Sequence, residues 1–506
     1  MRFFAKVFLT CAPLVVACST NFSARECKVD GDCGAGMVCA SPGQGGNATG
    51  SQSACVEADL APLRIGMSAP TSGPNQQLGI QMRDGILLAF TEQNNAGGVG
   101  GRPLDLDLKD DSYDPVAAEA TAHTLLDVQE GSGRPRCPST HDSPPTAPGV
   151  SSTELDRGPN SVLAILGNVG TPTMVRFAPI AVETQTLFFG AFTGATLMLR
   201  DDTAGACKRF IFNVRASYAQ EARATLEYFI RRAKTLSAPL DYRHLISFDQ
   251  NDTYGEAGYA GLKAAYKDLQ ATTAPSLATL PDGDTPFARY RYQREDPGGT
   301  SAAQATNTID YITDQILVNP GPQIVGILMT DTYGAGENYI KAVQDWRAGL
   351  PPETASRLAV IFSNVSFVGA NSLADRLKDA TDRYTKEVYV SQVVPNYADD
   401  DSDIVKVYKG LVPDANARNF TSFEGYISAR IFIAGLVAEK RAYTSENLIS
   451  TFENLHDLPV GLGASSGFSA NDHNYSKTVW GTAIQPDGTF KSVYFWSPGP
   501  GLQLYN

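Results

Sequence analysis

The sequence predicts an α/β protein built as two Rossmann-like lobes around a central cleft. Short apolar strands alternate with amphipathic helices from Leu63 to Phe189, the same alternation restarts after Cys207, and glycine-rich loops separate the segments. Repeated strand–helix–strand units build a parallel sheet with helices on both faces. Two such sets in one chain imply two lobes.

The elements follow from local pattern. Leu63-Arg-Ile-Gly-Met67 is a short strand, followed by the loop Ser72-Gly-Pro-Asn-Gln-Gln-Leu-Gly79. Met82, Ile86, Ala89 and Phe90 recur at helical spacing and stop at Ala96-Gly97-Gly98. Leu104, Leu106 and Leu108 alternate with Asp105 and Asp107, the period of a half-buried strand. A helix over 115–129 and strands over 162–166 and 185–189 complete the first set. The second set reads as strand 210–214, helix 219–234, strand 245–248, helix 254–269, strand 324–328, helix 336–347 and strand 358–362. Residues 130–159, rich in Pro, Ser, Gly and Thr, break the rhythm and read as a surface insertion.

Charge narrows the function classes. The net charge of −13 repels phosphate backbones, and no Lys/Arg-rich block relieves it, so nucleic-acid binding is not expected. At the amino end Arg2 and Lys6 precede an apolar stretch over 7–17, too short to span a bilayer. It closes on Val15-Val16-Ala17-Cys18, which resembles a lipobox. That resemblance implies removal of 1–17, lipidation of Cys18 and attachment to the membrane by acyl chains alone. Ser19, where an aspartate would signal inner-membrane retention, points to the periplasmic face of the outer membrane.

Beyond Cys11 and Cys18 six cysteines remain: Cys27, Cys33, Cys39, Cys55, Cys137 and Cys207. An even set in an exported chain argues for disulfides. The first four lie in a Gly/Ser/Asn-rich segment that resembles the short cysteine-knot modules behind lipoprotein anchors. Zinc is the competing reading, but the five-residue gaps Cys27–Cys33 and Cys33–Cys39 do not give structural zinc pairs. Asp30 and Asp32 read as solvated turn residues rather than a calcium site. A Cys137–Cys207 pair is expected from parity alone.

A family resemblance rests on a series of motifs in order. They are Ile65-Gly-Met-Ser-Ala-Pro-Thr-Ser-Gly-Pro74, Ala96-Gly-Gly-Val-Gly-Gly-Arg-Pro103, Lys109-Asp-Asp-Ser-Tyr-Asp-Pro115, Gly167-Asn-Val-Gly-Thr-Pro-Thr173, Gly190-Ala-Phe-Thr193, Phe248-Asp-Gln-Asn-Asp-Thr-Tyr-Gly-Glu256, Ser366-Phe-Val-Gly369 and Gly467-Phe-Ser-Ala-Asn-Asp-His473. Over about residues 63–497 the chain resembles the branched-chain (Leu/Ile/Val) amino-acid binding proteins of ABC transporters. The resemblance implies a type I periplasmic binding fold with three hinge crossovers. It implies lobes formed by 63–208 with 388–462 and by 209–387 with 463–506, behind a spacer over 18–62. Hinge-bending capture of a small solute is the implied mechanism, with an inner-membrane ABC permease as partner and no cofactor.

Candidate ligand residues follow. The residue pattern puts Thr171 at the N-cap of a helix beginning with Pro172, at the carboxyl end of a strand, where it caps the helix or meets an anion. The resemblance adds that Thr171 holds a ligand carboxylate, that Ala191 and Thr193 grip carboxylate and ammonium, and that Tyr254 lines the cleft. Asp331 and Tyr333 follow the strand over 324–328, where relatives place an aromatic. Departures accompany these matches. Ser366 stands where relatives carry the glutamate for an α-ammonium, Leu78 replaces a first-loop aromatic, and Tyr113 and Gly170 replace a cross-linking cysteine pair. Either Asp331 takes over the ammonium, or the ligand is not an amino acid.

Catalysis is not expected. Gly463-Ala-Ser465-Ser-Gly467 fits Gly-x-Ser-x-Gly but lacks the strand before and the helix after that a nucleophile elbow requires, and His473 lies in the family's own turn motif. Gly97-Gly-Val-Gly-Gly101 closes a helix instead of opening one. The runs Asp110-Asp111 and Asp399–Asp403 read as solvated loops. Two uses of the cleft remain open: delivery of solute to a permease, or sensing and scaffolding in the cell envelope.

Overall fold

The computed structural model describes residues 26–28, 32–33, 37–40, 52–57, 61–130, 155–196, 207–463 and 466–505. They fall into two compact units, one ending at Ala61 and one beginning at Pro62. The leader over 1–17, Cys18, Asp30, Cys137 with most of the insertion, and Ser465 lie outside the described residues, as does the side chain of Cys207.

In the first unit β1 (Met37–Ala40) pairs antiparallel with β2 (Ala54–Glu57), setting Cys39 opposite Cys55. Disulfides join Cys27 to Cys39 and Cys33 to Cys55. The described core is only Ala40, Val56 and Ala61 with Val38 beside them, too little apolar surface to hold a fold without cross-links. The Asp32 carboxylate accepts from Lys28 N–H at 2.7 Å, the turn role that its spacing suggested.

The second unit opens with β3 (Leu63–Ala69), α1 (Gln76–Asn95), β4 (Leu104–Asp110) and α2 (Pro115–Leu125). Next come the hairpin pair β5 (Val128–Glu130) and β6 (Leu155–Arg157), then β7 (Ala164–Leu166), α3 (Thr171–Glu183), β8 (Leu187–Phe189) and β9 (Ile211–Phe212). Strands β4-β3-β7-β8-β9 form one parallel sheet. The helix expected over 115–129 ends at Leu125, and 128–130 instead pair antiparallel with 155–157.

The chain then forms α4 (Tyr218–Leu236), β10 (Leu245–Gln250), α5 (Thr253–Thr272), β11 (Ala288–Tyr292), α6 (Thr300–Tyr311), β12 (Gln323–Thr330), α7 (Tyr333–Ala348), α8 (Pro352–Arg357), β13 (Leu358–Asn364), α9 (Ala370–Leu377) and β14 (Val388–Gln392). After α10 (Asp403–Leu411), α11 (Phe420–Ala438) and α12 (Ser445–Phe452), the chain ends in β15 (Val479–Ile484), β16 (Phe490–Ser497) and β17 (Gly501–Leu504). The second sheet runs β11-β10-β12-β13-β14-β15-β16-β17, parallel through β14 and antiparallel beyond it. Helix α11 packs on α1, and a Cβ at Gly85 would meet Ser422 O at 1.9 Å, so this approach requires glycine.

The hinge boundaries differ from those expected. Strand β9, placed in the second lobe by a boundary at 208, hydrogen-bonds to β8 in the first sheet. Strand β14, assigned to the first lobe, pairs with β13 in the second. Phe468, beyond the expected boundary at 462, packs on Phe189 and Phe212 of the first sheet. In each case the strand ladder or the core decides where the chain leaves a lobe, and that point is not marked by a local glycine or cysteine. The first and third crossovers run together: Asn213 N–H donates to His473 O at 2.8 Å and Tyr475 N–H to Asn213 O at 2.8 Å.

Candidate functional site

The carboxyl ends of β3, β4, β7 and β8 face those of β10, β12 and β13, and their loops carry the residues singled out from sequence. Open α/β sheets bind ligands at this end. The loop after β7 turns at Gly170, with φ of +101°, and Gly170, not Thr171, is the N-cap of α3. Thr171 is the first helical residue and Pro172 the second. The reason for the shift is steric. A Cβ at Gly170 would lie 2.5 Å from Tyr113 Cε2, so Tyr113 seats directly on the glycine. The two positions to which the resemblance assigns a cysteine pair therefore meet here as ring on backbone.

Thr171 is buried, and its hydroxyl lies 2.7 Å from that of Thr193. Thr193 Oγ1 is also 3.4 Å from the Tyr218 hydroxyl. Ala191 is buried beside them, and Phe192 N–H donates to Asn168 O at 2.7 Å, which locks the β8 loop to the β7 loop. The result is a hydroxyl pair at the first turn of α3, an arrangement that stabilises an anion.

From the other lobe, the Tyr254 hydroxyl donates to Asp331 O at 2.9 Å. The Asp331 carboxyl is fully buried and neither oxygen has a hydrogen-bond partner, and burial pushes its pKa well above the usual carboxylate range. Ser366 lies in the turn after β13. Phe367, next to it, reaches across: its ring is 6.2 Å from that of Tyr113, 5.0 Å from Phe192 and 4.8 Å from Tyr254. The Tyr333 hydroxyl donates to Pro74 O, a further link between lobes.

An ionic cluster that sequence reasoning missed sits beside these residues. Arg215, on the first crossover, has Nη2 3.3 Å from Glu221 Oε1 and Nη1 3.3 Å from Glu424 Oε1, and it donates to the Ser366 hydroxyl. Its guanidinium lies 5.0 Å from the centre of the Phe192 ring. Glu221 also accepts from Ser366 N–H at 2.7 Å and from the Ser391 hydroxyl at 2.6 Å. Burial raises the pKa values of both carboxyls against the lowering pull of Arg215, that of Glu424 to about 7. One signal was available: Glu424 and Arg430 are the only charged residues of the otherwise apolar α11.

Ser465 of the Gly-x-Ser-x-Gly motif lies outside the described residues. No helix lies between Phe452 and Val479 among the described residues. His473 stacks on Phe212 at 3.7 Å, with Nδ1 3.0 Å from Ile211 O, which makes it part of the hinge.

A two-lobed α/β frame with three crossovers and polar strand-end loops facing across a cleft defines the type I periplasmic binding proteins. A family model described as periplasmic binding protein matches residues 62–133. A leucine-, isoleucine-, valine-, threonine- and alanine-binding protein of Pseudomonas aeruginosa is 38% identical over 64 residues, a stretch covering 13% of this chain and 17% of that protein. The crystal structure of a possible leucine/isoleucine/valine-binding protein from Rhodopirellula baltica SH 1 superposes with a TM-score of 0.63 at 28% identity, covering 87% of this chain and 98% of that one. A leucine-binding protein from Thermotoga maritima superposes with a TM-score of 0.61 at 13% identity, over 87% and 99% of the two chains, and shows the shared fold. The chain has the type I periplasmic binding protein fold and resembles the branched-chain amino-acid binding proteins. Among the described residues no helix is long and apolar enough to cross a membrane.

Proposed function

We propose that this chain captures a small polar or carboxylate-bearing solute, an amino acid or a related compound, between its lobes for ABC-type uptake. The observation that carries this reading is the buried Thr171–Thr193 hydroxyl pair at the first turn of α3, joined through Tyr218 to Tyr254 of the other lobe. Helix N–H groups and hydroxyls stabilise the carboxylate of a solute, and Ala191 lines the same corner. Asp331 is the carboxyl left for a solute ammonium. Burial pushes its pKa well above the usual carboxylate range, so a desolvated ammonium gains less there than from an exposed carboxylate, and the cleft favours carboxylates and neutral polar solutes over leucine, isoleucine and valine. The chain acts as a binder, not an enzyme.

Thermal-shift and calorimetric titration with branched-chain amino acids, organic acids and amides tests this. Weak binding of the branched-chain set, together with loss of whichever solute does bind on Thr171→Ala, is the expected result. Tight branched-chain binding retained after Asp331→Ala overturns it.

Cys18 is the proposed lipid anchor to the periplasmic face of the outer membrane, with the disulfide-stapled segment as spacer. Cys18→Ser should abolish acyl labelling and membrane fractionation, and unchanged labelling counts against the anchor. A cell-envelope sensor or scaffold using the same cleft is the second reading. It is favoured by a cleft that already closes on the protein's own Phe367 and Arg215.

A further inference from the structure

The charges of the cleft are unevenly shared. Arg215 leaves the first sheet on the crossover after β9, Glu221 stands in the first turn of α4 against the second sheet, and Glu424 projects from α11, which packs on α1 of the first lobe. All three are buried, with side-chain exposures of 1%, 0% and 5%. The guanidinium thus bridges the lobes through carboxylates that come from each.

Its surroundings belong to the cleft rather than to either core. One flank is Phe192, between Ala191 and Thr193; another is Ser366; and Tyr218 and Tyr254 lie close enough to feel its charge. A planar cation held between two carboxylates and against an aromatic ring is how a binding site receives a guanidinium or ammonium ligand. Here that ligand is part of the chain.

We infer that Arg215 is a specificity-determining residue, a built-in occupant of the Glu221–Glu424 pair that closes this place to the cationic group of a solute. The inference rests on the cleft being the solute site. It assigns to the intact protein a ligand class without a strong cation requirement, and it assigns to the carboxylate pair a latent affinity for free guanidinium compounds once the arginine side chain is removed.

Full-length wild type and Arg215→Ala are compared by thermal denaturation with methylguanidinium chloride, against sodium chloride at equal ionic strength. Arg215→Ala should show a saturable rise of its midpoint with an apparent affinity at least about tenfold above that of the wild type. Glu424→Gln in the same background should weaken the response about tenfold. A variant with no saturable response, or a wild type that responds equally, overturns the inference.

Should Arg215→Ala not fold, the wild type itself decides. Nitrogen-15 NMR of labelled arginine, with the Arg215 signal assigned through its contacts to the Phe192 ring, should show guanidinium protons exchanging at least about a hundredfold more slowly than in free arginine, as latched buried groups do. Exchange at the free rate refutes a seated cation. The two failures are distinguishable. Guanidinium binding by Arg215→Ala without binding of any solute class sinks the proposed function, and with it the specificity role, while leaving the latent affinity of the carboxylate pair; solute binding without that guanidinium response sinks this inference alone.

Discussion

The backbone N–H of Ser366 donates to Glu221 Oε2 at 2.7 Å, and the Ser366 hydroxyl donates to Oε1 of the same carboxylate at 3.0 Å. Ser366, the position to which the resemblance assigns a glutamate, thus sits against a glutamate from α4 that is already paired with Arg215. Glu221→Ala leaves a buried guanidinium half-paired and strips acceptors from Ser366 and Ser391, which should cost about 3–5 kcal/mol. Glu221→Gln, which keeps one acceptor, should cost less. Urea midpoints with unchanged slope check both.

Stability should fall with rising pH through Glu424. Burial chiefly, with Glu221 adding to it, raises this carboxyl from 4.5 to about 7 in spite of Arg215. An acid that binds its proton more tightly when folded stabilises the fold below its unfolded pKa and loses that contribution as pH rises through the folded one. The window is therefore about pH 4.5 to 7, with a ceiling on the order of 3 kcal/mol at about 1.4 kcal/mol per pKa unit. Glu424→Gln should flatten the slope of unfolding free energy across this window. Asp111, also raised to about 7, titrates alongside it, so the comparison of variant with wild type isolates Glu424.

Thr171→Val removes the hydroxyl that faces Thr193 and preserves shape. Stability should change by about 1 kcal/mol, the net worth of one hydrogen bond. Solute affinity measured by calorimetry should fall about tenfold or more, since a buried anion would lose a donor. Equal affinity would show that the hydroxyl pair only packs.

Phe367→Ala vacates the space among Tyr113, Phe192 and Tyr254. A loss of about 3–5 kcal/mol is expected for a buried phenylalanine. The cleft should then accept bulkier solutes than the wild type in a thermal-shift panel. An unchanged size limit would place the solute away from this ring.

Peptide mapping without reductant should recover Cys27–Cys39 and Cys33–Cys55 and no free thiol among the four. The Cys33–Cys55 link closes a separation of 22 residues, worth about 3 kcal/mol by loop entropy. The sulfurs of Cys27, Cys33 and Cys55 lie within 4.8 Å of one another, so stoichiometric zinc in the purified protein would reverse the assignment.

What was legible in the sequence was local. The strand–helix rhythm and the cysteine-rich segment follow from periodicity and composition over short windows and Thr171 from turn chemistry, whereas Thr193, Tyr254 and Asp331 were reached only through the family resemblance. The antiparallel edge β15–β17 and the true lobe boundaries were not legible, because strand pairing joins segments far apart in the chain. Tertiary structure alone decided the electrostatics of the cleft. Arg215 and Glu221, on a crossover and at a helix start, read as ordinary surface charges by composition, and although Glu424 stands out on the largely apolar α11, nothing local names its partner. Only folding desolvates them together, and a desolvated charge must find its counter-charge wherever the chain brings one. The same holds for Tyr113 on Gly170 and for Phe367 across the cleft: which residue fills a space depends on which backbone comes close enough to leave it.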